Sequence, residues 1–334
     1  MNMIRTTFAL SFILLLAAGN ASAQEKPSLR EIDRVRLVEA FRLSDQLADE
    51  LWAGWSKAPL AVLLVTPDKE FLIKHPQPSK DFTSIGYDPK LKSEVFYRDR
   101  KFATNLLATF PAVGGISTIV IGQAENTASK TSTPWVITLM HEHFHQLQDA
   151  QPNFFKDTEA LNLSRGDQTG MWMINYPFPY DTPEVSQQFS ILVKLLLEAI
   201  ETKSNDKLSA YLAARDTLKK MLTPDDYKYL SFQLWKEGIA RYTEYRVAHW
   251  AAAKYQPTRE FQNLKDFTTF RAAADQVHNG IVQELSTLKL EDYKRVAFYP
   301  IGAGEGLLLD RSNPQWRSRY FAEKFDNGAY FTRK

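Results

Sequence analysis

Two histidines four residues apart, with a glutamate beside the first, constrain this chain more than any other feature: His141-Glu142-His143-Phe144-His145. Residues i and i+4 share one face of an α-helix, so a helix here brings both imidazoles to one point. The surrounding sequence favours a helix. Thr133-Pro134 reads as an N-cap followed by proline at the first helical position. Val136, Met140, Phe144 and Leu147 form an apolar stripe at helical period, flanked by His141 and His145. Pro152 supplies the stop. A strand would instead put His141, His143 and His145 on one face. The cap, the stripe and the scarcity of β-branched residues after Ile137 and Thr138 oppose that reading. On the helix, His143 points away from the pair and reads as a solvated or supporting histidine.

Two imidazoles so placed bind one zinc ion, and the adjacent glutamate reaches a metal-bound water as its general base. The chemistry implied is zinc-assisted hydrolysis, most often of a peptide bond. The chain has no cysteine, so it has no disulfides and no thiolate ligands, and a metal site must come from His, Asp and Glu. Those ligands suit zinc, one ion per chain.

The N-terminus reads as a secretory signal. Arg5 gives the positive region, Phe8 to Ala18 the apolar run, and Ala21-Ser22-Ala23 the cleavage site. The apolar run is short for a membrane span. Residues 1–23 are therefore expected to be removed after Ala23, leaving a secreted or periplasmic chain from Gln24 with no membrane attachment. A formal net charge of +2 over 334 residues points to neither nucleic acid nor anionic lipid as a partner. The expected partner is a peptide or protein substrate.

The pattern predicts an α+β, zincin-like fold. A sheet-bearing lobe over 24–152 ends in the histidine helix, and a mainly helical lobe follows over 153–334. Residues 29–56 read as an amphipathic helix. Leu60 to Thr66, Phe71 to Ile73, Glu94 to Phe102 and Ile116 to Gly122 read as strands of a small antiparallel or mixed sheet. Gly114-Gly115 leads into the last of these, which is the expected sheet edge for an added peptide strand. Thr182-Pro183 opens a helix to about Thr202, and a second covers Asp206 to Met221. Thr223-Pro224 caps a long third helix to about Tyr255. Further helices are expected between Thr258 and Leu288 and near the C-terminus. The cleft between the lobes is the natural place for the site.

A catalytic zinc takes three protein ligands and keeps a position for water. Gln148 and Gln151 stand where H-E-x-x-H-x-x-G-x-x-H needs glycine and histidine, so that class is excluded. Glu237 is the best distant candidate. It lies within the long third helix and is followed by Gly238, which costs up to about 1 kcal/mol in an exposed helix. Close approach of the histidine helix would account for it. Glu244, two turns on, and Glu198 are the fallbacks.

His141-Glu142-x-x-His145 followed by Glu237-Gly238-Ile239-Ala240-x-Tyr242-x-Glu244 resembles the gluzincin metallopeptidases, and is most similar to the zinc-site segments of the aminopeptidase N family. There the later segment reads N-E-G-F-A-x-Y-x-E. The resemblance implies His141, His145 and Glu237 as zinc ligands and Glu142 as base. It covers two short segments. Lys236 and Ile239 depart from the family's asparagine and phenylalanine, and the stretch from His145 to Glu237 is far longer than in those aminopeptidases. Gly122-Gln123-Ala124-Glu125-Asn126 resembles the family's G-x-M-E-N segment, whose glutamate holds a substrate amine, but the histidine helix follows it too closely. Glu125 therefore reads as part of a polar loop.

Such a site also needs a donor for the oxyanion that forms on the attacked carbonyl. Tyr299, in Tyr299-Pro300-Ile301-Gly302, is the first choice; Tyr242, Tyr293, His249 and His278 are the others. Gly302-Ala303-Gly304-Glu305-Gly306 lacks the lysine of a phosphate loop and reads as helix packing. Trp172, Tyr176, Phe178 and Tyr180 either line a pocket or pack a long connection. The reading is a secreted or periplasmic zinc metallopeptidase. A zinc hydrolase of a non-peptide amide or ester, and a non-catalytic zinc-containing binder with His143 as a fourth ligand, are the alternatives.

Overall fold

The computed structural model describes residues 27–331. The signal segment and its cleavage site lie outside them. The fold is α+β. Six strands, β1 (Val62–Val65), β2 (Lys69–Ile73), β3 (Thr83–Asp88), β4 (Ser93–Asp99), β5 (Leu107–Val113) and β6 (Ile116–Gly122), form one sheet in the order β3-β4-β2-β1-β6-β5. Only β1 and β6 pair in parallel, with Leu64 opposite Ile121. The other pairs are antiparallel, so the sheet is mixed.

Side chains alternate between the two faces of a strand. Val62, Leu64, Phe71, Ile73, Ile119 and Ile121 join the main core. Leu63, Val65, Leu72, Val113 and Val120 form a smaller cluster on the other face. The central strand β1 is thus buried on both faces, which is why Leu60 to Thr66 reads as a continuous apolar run.

Two strands were not expected, and both are edges. β5 carries Pro111 where its register with β6 shifts, between Phe110 and Val113. Proline cannot donate to the ladder and is tolerated at an edge or a bulge. β3 is largely exposed, and its register shifts between Ser84 and Gly86. Gly114 and Gly115, at φ 56° and 74°, close the two-residue turn from β5 to β6, where positive φ is required at both positions. This hairpin corrects the expectation for Ile116–Gly122: β6 is interior, and β5 is the edge beside the histidine helix.

The longer helices are α1 (Glu31–Leu51), α2 (Ser132–Asp149), α3 (Pro183–Thr202), α4 (Asn205–Met221), α5 (Pro224–Gln233), α6 (Ile239–Lys254), α7 (Phe270–Thr287) and α8 (Phe298–Ser312). The histidine helix α2 packs on β5 and β6 and against α1 and α6. Its stripe, Val136, Met140, Phe144 and Leu147, is fully buried. It begins one residue before the expected cap: Thr131 is the N-cap and its side chain makes no capping bond. A distant group serves instead. Asp266 accepts from Ser132 N at 3.0 Å and from Ser132 Oγ at 2.7 Å, which satisfies a free amide at the helix start.

The expected long third helix is interrupted. Thr223 caps α5 by accepting from Asp226 N, but a π turn over Leu234–Gly238 joins α5 to α6, with Ile239 N bonded to Leu234 O. Such turns insert one residue and re-aim the side chains around them. Among the described residues no helix is long and apolar enough to cross a membrane.

Candidate metal centre

Both histidine rings are held from behind. His141 Nδ1 lies 2.7 Å from Glu244 Oε1, and His145 Nδ1 lies 2.7 Å from Gln148 Oε1. The Gln148 amide is fixed by its nitrogen, which donates to Trp235 O at 3.3 Å and Lys236 O at 3.1 Å. Its oxygen must therefore face His145. With oxygens accepting at both Nδ1 atoms, each neutral ring has its proton there and a lone pair at Nε2. The two Nε2 atoms are 3.1 Å apart. Facing lone pairs at that distance repel, so the arrangement calls for a positive charge between them, a proton or a metal ion.

Glu237 completes the set. Its Oε2 lies 3.3 Å from His145 Nε2 and 3.9 Å from His141 Nε2. The three residues offer donor atoms that all lie within 4.8 Å of one another. Donors about 2.0–2.1 Å from a tetrahedral ion lie roughly 3.3–3.4 Å apart, which this triangle approaches. The outer carboxylate and amide partners are what metal-ligating histidines require to fix ring and tautomer. The residues present therefore fit a metal.

The π turn presents Glu237, and two devices hold it. Lys236 Nζ pairs with Asp149 Oδ1 at 2.8 Å, tying the turn to the end of α2 beside the Gln148 bonds. Gly238 meets Gly302 of α8: a Cβ on Gly302 would lie 2.6 Å from Gly238 Cα and from Leu234 O. The glycine after Glu237 thus serves approach to α8, not to the histidine helix as expected. The other glycines of α8 also pack closely, Gly304 on Leu196 and Gly306 on Tyr242, in keeping with helix packing.

Charge at the site is mixed. Burial pushes the Glu237 carboxyl up, but the imidazole of His145 and the guanidinium of Arg295 outweigh it and hold it below the usual range. Burial pushes His141 down, and Glu244 outweighs it to leave a net rise. Glu244 is itself paired with Arg241 at 2.5 Å.

Glu142 shares α2 with both histidines and is buried. Its Oε2 accepts from Thr109 Oγ1 of the edge strand at 2.7 Å, and Thr109 also meets Glu142 O at 3.0 Å. Tyr299 stands on the first turn of α8, its ring parallel to His141 with centroids 6.5 Å apart. Burial, then the Glu237 charge, drives its hydroxyl well above the usual phenol range, so it is a proton donor at neutral pH. Arg295 Nη1 donates to Tyr299 Oη at 3.0 Å and lies 3.8 Å from Glu237 Oε1.

Other candidates fall elsewhere. Glu244 orients His141 and is not in the donor set. Glu198 pairs with Lys207. Glu125 is engaged by Arg30 at 2.5 Å and Arg36 at 3.2 Å. His143 is not solvated: it is 1% exposed, stacks on Trp55, and burial pushes it down to about 4. Tyr242 bonds Asp310, Tyr293 bonds Thr287, and His249 and His278 both pack on Tyr245. In the aromatic run, Tyr176 stacks on Tyr229 and Phe178 packs edge-on against Phe298. Trp172 and Tyr176 also line an open cavity of about 290 Å³ that none of the donor residues lines.

Thr109, Gln148 and Arg295 were missed. Gln148 had a signal, since it follows His145 by three residues on one helix face. Thr109 and Arg295 had none, because only tertiary packing brings them to the site. Compared with models of known families, with curated proteins and with solved structures, the chain matches none.

Proposed function

We propose that this protein is a zinc-dependent metallopeptidase of the gluzincin type, with the metal held by His141, His145 and Glu237. The carrying observation is the convergence of these three donors, each histidine buttressed from behind, with Glu142 on the same helix. An ion bound there would supply a Lewis acid that acidifies water and polarises a carbonyl. With zinc as the ion and Glu142 beside it as a base, such a donor set serves hydrolysis.

The roles of the chain's own groups follow from their bonds. Glu142 takes the proton of the attacking water at its carboxylate, which Thr109 holds in position through Oε2. Tyr299 donates its hydroxyl to the oxyanion, while Arg295 occupies an acceptor site on its oxygen. Lys236, the departure from the aminopeptidase pattern, pairs with Asp149 and anchors the π turn. The exposed pairing side of β5, next to Glu142, suits an extended substrate strand. The N-terminal signal supports action outside the cytoplasm, on peptide or protein substrates.

A closed structural site would need a fourth protein ligand. His143 was the candidate, and its Nδ1 goes to Gln146 at 3.0 Å while its ring stacks on Trp55. That favours an open, catalytic site. The test is zinc content of the chain from Gln24 onward, followed by screening of peptides and of small amides and esters with and without chelator. About one tightly held zinc with chelator-sensitive peptide cleavage is the expected result. Cleavage of small amides or esters alone would replace the substrate class, and absence of zinc uptake would overturn the reading.

A further inference from the structure

Arg295 is the unusual cation of this site. It lies in the short 3₁₀ turn Lys294–Ala297 that leads into α8, one turn before Tyr299. Only its Nη1 is engaged, by Tyr299 Oη at 3.0 Å and Gln233 Oε1 at 3.4 Å. Nε and Nη2 bond no group among the described residues. Compare the buried arginines Arg36 and Arg215, each of which places all three nitrogens on partners. The Arg295 side chain is 22% exposed, so the fork is neither saturated by protein nor fully in solvent. The backbone just before it is strained: Lys294 stands at φ 47° and ψ −129°, a region that L residues avoid.

We infer that the free side of Arg295 binds the terminal carboxylate of the substrate, making this enzyme an exopeptidase that removes the last residue of a peptide. The inference rests on the metallopeptidase reading. Guanidinium matches carboxylate geometry with two parallel N–H donors, and a fork held at one corner is already oriented for it. Arg295 Nη1 lies 3.8 Å from Glu237 Oε1. An extended residue spans about 3.3–3.6 Å. That distance is to the held corner and sets the guanidinium beside the donor set, at the range of a carboxylate one residue beyond a carbonyl presented to His141, His145 and Glu237. Longer chains continuing past that residue would place a neutral amide against a cation. In the reaction the water oxygen joins the penultimate carbonyl carbon, the C–N bond breaks, and the amine of the released amino acid takes the proton.

The test separates binding from turnover. The chain from Gln24, carrying Glu142→Gln and loaded with zinc, is titrated calorimetrically with N-acetyl-Ala-Phe and with its C-terminal amide. The free acid is expected to bind at least about ten-fold tighter, and Arg295→Gln to abolish that difference when the proteins are compared at equal zinc loading, with Arg295→Lys keeping part of it. Equal affinity for acid and amide, or an Arg295→Gln variant that weakens both alike, would overturn carboxylate recognition while leaving the metallopeptidase reading intact. Failure to take up zinc would overturn both.

Discussion

Gly238 and Gly302 are in backbone-to-backbone contact where the π turn crosses α8, and the residues flanking this contact are Glu237 and, one turn earlier on α8, Tyr299. The crossing sets the separation of a candidate metal donor from the candidate oxyanion donor. Gly302→Ala forces the helices apart, since the added carbon has only backbone to meet. Overpacking of this kind costs about 1–3 kcal/mol. The expected outcome is a lower melting temperature together with weaker zinc binding. An unchanged melt and unchanged affinity would mean that the crossing is loose and does not set the site.

Glu142→Gln removes the proposed base but keeps the side-chain shape, and Thr109 can still donate to the amide oxygen. Zinc content is expected to stay near one per chain while turnover falls by about a hundred- to ten-thousand-fold. Full activity in this variant would remove Glu142 from the mechanism.

Glu237→Gln and Glu244→Gln separate donor from orienter. Loss of the Glu244 charge behind His141 is expected to lower zinc affinity by about ten- to a hundred-fold. Loss of Glu237, which faces both Nε2 atoms, should cost more. Competition titration with a chromophoric chelator ranks the two. The reverse order would exchange their roles.

His75 offers a pH prediction away from the metal. Its Nε2 lies 3.2 Å from Val113 O, and its Nδ1 accepts from Gln77 N at 3.1 Å, so the ring is held neutral. Burial pushes its pKa below the ordinary 6.5. Above 6.5 folded and unfolded chains are both neutral here, and stability is complete. Below it the unfolded chain takes a proton that the folded chain refuses, so stability is lost as pH falls through the folded value. The native melt should therefore decline from pH 7.5 to 5.5 more steeply than that of His75→Gln. Parallel declines would assign no role to His75.

Legibility followed the range of the interaction. The histidine pair was readable because a helix places i and i+4 together without help from the rest of the chain. Strands β1, β2, β4 and β6 were readable from apolar runs or alternation, whereas β3 and β5 were not. These are the edges, and edges tolerate Gly86 and Pro111, the residues that argue against strands elsewhere. Glu237 was found through its motif, and its glycine was noticed, but the partner of that glycine lies in α8 and no local pattern points there. The π turn leaves no signature in composition either. Thr109 and Arg295 reach the site only through the stacking of β5 and α8 around α2 and α6, which is a property of the assembled fold.

The donor set is also split in time. His141 and His145 share one helix, whereas Glu237 belongs to a segment synthesised much later and positioned by α8, later still. An incomplete chain offers two imidazoles and no carboxylate. The three-donor set of the proposed site therefore exists only once the last helices dock, and a chain arrested or clipped before α8 would present an unfinished one.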